Sequence, residues 1–339
     1  MSYNIAIVED DPPQRAHYAD ALRGHGYRVS EYESREQAIK AFERELQDAA
    51  AGWFSNKGLA THARMRYCLK SHDSWPENII CTDVAEYIRQ EHERNLGKDS
   101  FPLHKYLHHG LSSQAMVFNL VGPLIVRKDL EPLRVAIEKV GMPWPTGEVT
   151  AGFEYDDRAV FNEDSGQPTS IDLAISGETA RIFIEAKLVE REFGGCSVFS
   201  GGDCDGRNPI SYEVDGCYLH HIGRKYWERM NEFGFGETTF ASGPICPFIS
   251  YYQFFREVLF SLKKDGCFVL LHDERNPAFL KVSEDGKESG LWPFLMESVP
   301  AKYATNIGRV TIQQLVGAID ESGRHHDWID EFKQKYGIE

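Results

Sequence analysis

Asp172, Glu185 and Lys187 stand in the stretch SIDLAISGETARIFIEAKL, residues 170–188, where two acids and an amine interrupt otherwise apolar runs. Ser176-Gly177-Glu178-Thr179 has the composition of a turn, so the stretch reads as a β-hairpin. A strand period of two places Phe183, Glu185 and Lys187 on one face and Ile182, Ile184, Ala186 and Leu188 on the other. If Gly177 to Ala180 form a four-residue loop, Asp172 lies opposite Glu185, and facing residues of an antiparallel pair project to the same side. Two carboxylates held that close repel, and burying them is costly unless a cation lies between them. Hard oxygen ligands suit Mg²⁺ or Mn²⁺, which polarises a phosphoryl oxygen and acidifies a water while a neighbouring Lys orients that water or offsets developing charge. The chemistry these residues suit is phosphodiester hydrolysis.

Other elements must position this hairpin. Ser112 to Val121 has a helical pattern that Gly122-Pro123 is expected to stop, and Asp129 to Val140 reads as a second helix. Strand patterns follow at Val149 to Tyr155, Thr169 to Ile175 and Ala180 to Val189. Helical patterns return at Gly223 to Phe233 and Tyr251 to Lys263, then a strand at Cys267 to His272 and a terminal helical region from Thr311 to Asp320. On the helix after the hairpin, Gln253 and Arg256 are three residues apart and share a face.

Asp172 followed thirteen residues later by Glu185-Ala186-Lys187 resembles the D…ExK core of PD-(D/E)xK, restriction-endonuclease-like nucleases. SSQA…FNL before the core, and VEREFGGCSVFSGGDCDGRNP, GCYLHHIGRKYWE, CPFISYYQFFRE and LLHDERNPAF after it, are similar to a group of bacterial proteins of that kind, over roughly residues 100 to 280. The resemblance implies an α/β fold with a mixed central sheet flanked by helices, and Mg²⁺- or Mn²⁺-dependent cleavage of nucleic acid, DNA in the first instance, in restriction or defence. It implies that Asp172 and Glu185 hold the metal and that Lys187 assists the water. Many relatives carry a further acid on the first helix, where this chain offers Ser113, Gln114 and Asn119. Gln114 is the candidate there, and Glu154 on the first strand could supply the missing charge to the metal. Gln253 and Arg256, on a helix that borders the active site in such nucleases, are candidates for phosphate contact. Cutting both strands of a duplex at one place requires two active sites, which suggests a homodimer.

Cys196, Cys204 and Cys217, followed by His220, His221 and Cys246, raise a structural zinc site, although the chain lacks the C-x₂-C knuckle that makes such signatures specific. His104, His108 and His109 read as the polar start of a helix rather than as ligands. The seven cysteines, an odd number without framework spacing, read as reduced thiols.

Residues 3 to 47 alternate strand and helix, with Asn4 to Val8, a helix from Pro12 to Leu22, Tyr27 to Tyr32, and a helix from Ser34 to Glu45. This resembles the first half of a response-regulator receiver domain, with Glu9 and Asp10 as its acidic pair, but the phosphoacceptor strand does not follow. Asn78 to Val84 could imitate that strand and present Asp83, which is otherwise expected to cap a helix from Val84 to Glu93. The expected organisation is a receiver-like fragment over 1–47, a helical connection over 48–100 and a nuclease-like domain over 101–339. A formal net charge of −15 argues against indiscriminate binding to a polyanion. It also keeps open a signalling protein, or a noncatalytic nucleic-acid- or protein-binding scaffold. No apolar run approaches the length of a membrane span and the N-terminus does not have the pattern of a signal peptide, so the expected location is the cytoplasm.

Overall fold

CFVLLH, residues Cys267–His272, is buried at every position. A strand apolar on both faces must have a layer on each side, so it belongs inside a sheet. In the computed structural model this strand, β6, lies fourth in a five-stranded mixed sheet with order β3-β4-β5-β6-β9. The others are β3 (Thr150–Asp156), β4 (Ser170–Ser176), β5 (Arg181–Lys187) and β9 (Ile307–Thr311). The three strands β3, β4 and β5 are antiparallel neighbours, whereas β5, β6 and β9 run parallel. A separate two-stranded ribbon joins β7 (Lys281–Val282) to β8 (Glu288–Ser289). The structure describes residues 4–8, 28–32 and 34–339, apart from 99, 165, 167, 211–213, 239–242 and 283–285.

The sheet separates two apolar cores, as its alternation requires. Leu173, Ile175, Ile182, Ile184, Ala186, Val269 and Leu271 pack on one side, among residues of helices α1 (Arg35–Asn56), α2 (Thr82–Arg94), α3 (Ser113–Val126) and α4 (Glu131–Lys139). On the other side Ile171, Ala174, Phe183, Phe268 and Leu270 meet α5 (Tyr226–Glu232) and α6 (Phe248–Lys263). Helix α6 makes the crossover between the parallel strands β5 and β6, the connection such a pair needs. After β6 come α7 (Leu291–Met296), α8 (Ile312–Ser322), which opens on a Thr311–Gln314 capping box, and α9 (Ile329–Tyr336). No helix of the described residues is long and apolar enough to cross a membrane.

Several expectations need correction. Helix α3 runs through Gly122-Pro123 to Val126 instead of stopping there. Gly122 is where α2 comes close: a Cβ on it would sit 2.5 Å from Val84 Cγ1. Pro123 cannot donate to the Asn119 carbonyl, and the Asn119 side chain ties the helix outward, accepting from Ile80 N and donating to Asn78 O. Asp83 lies inside the first turn of α2 and accepts from Val84 N, while Cys81 occupies the cap position. Asn78 to Val84 is not a strand, since Asn78 ends a 3₁₀ helix, His72–Asn78. Residues 57 to 71 are irregular rather than helical. Helix α1 passes continuously through residue 47, with Phe42, Leu46, Ala50, Trp53 and Phe54 on its buried face. In the N-terminal segment β1 (Asn4–Val8) and β2 (Arg28–Tyr32) pair in parallel, whereas Glu9, Asp10 and the helix expected from Pro12 lie outside the described residues.

Candidate active site

Three adjacent strands carry three acids to one row. The β3–β4 register pairs Phe153 with Leu173 and Tyr155 with Ile171, which sets Glu154 across from Asp172. The β4–β5 register pairs Leu173 with Ile184, so one further step sets Asp172 across from Glu185. Gly177 N bonds Ala180 O at 3.2 Å, closing the hairpin loop that this register needs.

Glu154 has φ = 54°, in the left-handed region that costs a side-chain-bearing residue about 1–3 kcal/mol. The distortion breaks the strand's alternation: Phe153 packs in one core and Tyr155, two residues on, against the other. Glu154 itself is buried, with Oε1 accepting from Gln114 Nε2 at 2.6 Å and Oε2 from Ser170 Oγ at 2.9 Å. Burial, with the charge of Glu185 nearby, pushes its carboxyl up to about 7. Gln114 is also buried, and its amide is further tied to Pro102 O and His104 N. Its place in the structure is to hold Glu154.

Asp172 is partly buried, and its Oδ2 accepts the backbone N–H of Ala186 at 2.8 Å. Burial, then the charges of Glu185 and Glu154, raise its carboxyl well above the usual range. Glu185 is 3% exposed, and its Oε1 accepts from Lys187 Nζ and from Gln253 Nε2, each at 2.7 Å. Lys187 Nζ also donates to Gln253 Oε1 at 2.8 Å and lies 5.6 Å from the centre of the Phe193 ring. Burial disfavours its charge, but Glu185, Glu190 and Glu257 outweigh burial and hold the ammonium protonated. Gln253 thus bridges the acid and the amine, using both ends of one amide.

The guanidinium of Arg256 lies 5.0 Å from the centre of the Tyr252 ring, and its buried Nε has no hydrogen-bond partner. One helical turn beyond Gln253 stands Glu257, which the sequence reading did not single out. Glu257 is fully buried, and neither carboxylate oxygen has a partner. Burial first, then Glu185, raise its carboxyl far above the ordinary range. The available signal was an acid at i+4 from Gln253 within the apolar run FFREVLF, where a solvated surface residue has no place.

This donor set fits a divalent cation. Its oxygens are hard, its acids are strained by one another, and a buried carboxylate without a hydrogen bond points to a missing positive charge. Oxygens of three acids do not come within 4.8 Å of one another here; among the described residues the trio of potential ligands that does is Cys68, His108 and His109. Mg²⁺ does not require three, since it is commonly held by one or two carboxylates with waters and substrate phosphate. The zinc expectation meets a different outcome. Cys196, Cys204 and Cys217, with Cys246, line one cavity of about 870 Å³, but no three of these sulfurs lie within 4.8 Å of one another.

A mixed sheet with helices on both faces, and an acid row at its D…ExK hairpin, is the arrangement of a restriction-endonuclease-like protein. A family model described as Restriction Endonuclease associating with ARP matches residues 47–337, and the chain belongs to that family. No curated protein and no solved structure matches it. The family match begins at Gln47, and nothing in the comparisons supports the receiver resemblance of the segment before it.

Proposed function

We propose that this protein is a divalent-metal-dependent nuclease that hydrolyses phosphodiester bonds in DNA and acts in restriction or defence. The observation that carries the reading is the Glu154–Asp172–Glu185 row with Lys187 fixed beside Glu185. A bound Mg²⁺ or Mn²⁺ would polarise a phosphoryl oxygen and lower the pKa of a water. Asp172 and Glu185 would hold it, and Glu154 would add a third acid in the same row. Lys187 stays protonated and places a fixed positive charge where the pentavalent phosphate gathers negative charge. Gln253 orients Lys187 and Glu185, and Gln114 orients Glu154. Lys187 and Glu185 are almost removed from water, which strengthens each of these interactions.

The net charge of −15 means that attraction to DNA is local to the cleft and depends on the cation. Double-strand cleavage would use two copies of the chain. The test is incubation of plasmid, linear duplex, single-stranded DNA and RNA with Mg²⁺, Mn²⁺ or chelator. Cleavage that needs the divalent ion and favours DNA supports the reading. Cleavage of RNA alone would correct the substrate, and no cleavage together with no divalent-ion binding by calorimetry would remove the catalytic claim.

A further inference from the structure

We propose that the protein carries a structural zinc site formed by Cys68, His108 and His109, with His72 as the fourth ligand. The sulfur of Cys68 and a ring nitrogen from each of His108 and His109 lie within 4.8 Å of one another. That group is remote in sequence from the acid row and of opposite chemistry: a thiol and imidazoles suit Zn²⁺, whereas carboxylates suit Mg²⁺. A second observation points the same way. His108 Nδ1 is buried without a hydrogen-bond partner, a state that buried polar atoms seldom keep.

The backbone holds these residues in place from both sides. Cys68 and His109 are bridge partners, with Leu69 N bonded to His108 O at 3.0 Å and Gly110 N to Tyr67 O at 2.8 Å. Asn78 Nδ2 donates to Leu107 O at 2.7 Å and to His109 O at 2.8 Å. The Cys68 thiol, which burial raises, would lose its proton to solvent on binding. The ring of His72 lies 5.6 Å from that of His108, edge to face, which makes it the candidate for the fourth, imidazole ligand of a Cys/His₃ set.

The site has a structural use. The segment from His104 to His109 includes the His104 N–H that binds Gln114 Oε1 at 2.8 Å, and Gln114 in turn holds Glu154. A zinc ion there would fix the loop that orients the buried glutamate of the acid row.

The experiment is metal analysis of the full chain, purified without a histidine tag and dialysed against a weak chelator, joined to zinc X-ray absorption. The expected result is about one zinc ion per chain with one sulfur and otherwise imidazole nitrogens around it. Cys68→Ser and His108→Ala should lose the zinc, while Cys204→Ser and Asp172→Asn keep it. Absence of zinc, a sulfur-only shell, or zinc undiminished in a folded Cys68→Ser protein overturns the proposal. Should Cys68→Ser fail to fold, the wild-type absorption spectrum alone decides between one sulfur and four.

Discussion

Lys187 sits where an ammonium ion has lost nearly all its water, and it remains charged because the field of the acids around it, with Glu185 hydrogen-bonded to it, outweighs burial. Removing it should therefore abolish chemistry more than it disturbs binding. Lys187→Ala is expected to lower single-turnover cleavage by about 100-fold or more while Mn²⁺ binding by calorimetry persists. Gln253→Ala and Gln114→Leu disturb only the orientation of acids and amine, and should cost about 10–100-fold, the range typical of groups that steer metal ligands. Asp172 and its hairpin partners were legible in the sequence because a period of two and a four-residue loop fix which side chains face each other. The burial of Glu257 was not, because a helix allows both i+3 and i+4 as neighbours of Gln253 and tertiary packing decides what is enclosed beside them.

Element-scale constraints appear where backbones approach. Gly122 lets α2 lie against α3, and Gly122→Ala drives a methyl into Val84. The expected loss is about 1–3 kcal/mol, read as a lower denaturant midpoint, with Val84→Ala partly restoring it in the double variant. The sequence suggested a helix stop at Gly122-Pro123 because glycine and proline usually mark one; close packing is the other use of a small residue, and it cannot be told from composition. Strand β6 was legible to the residue, being apolar throughout. On β6, His272 is buried with an unpartnered Nε2, and burial holds its imidazole down at about 4, against an ordinary value of about 6.5. The unfolded chain thus binds the proton first as pH falls. Stability present above about pH 6.5 should be lost progressively toward pH 4, by about 3 kcal/mol in all. Chemical denaturation across that range checks it, and His272→Phe should flatten the acid limb.

At the scale of the whole molecule, the sheet divides two cores and the acid row lies where β3, β4 and β5 meet, so the fold and the alignment of the acids were legible together from one hairpin and its flanking helices. The boundary expected at residue 47 was drawn from a local resemblance, and α1 runs across that position with one continuous buried face. Crowding acids into one row also has a cost that a bound divalent ion would relieve. In chelator, Asp172→Asn should therefore melt higher than the wild type, and Mg²⁺ should raise the melting temperature of the wild type only. The most direct measurement is divalent-dependent cleavage of supercoiled plasmid by the wild type, Asp172→Asn and Lys187→Ala, each shown to be folded by circular dichroism. Cleavage by the wild type that disappears in both variants is the predicted result. Undiminished cleavage by either folded variant would contradict the assignment of the Asp172–Glu185–Lys187 centre.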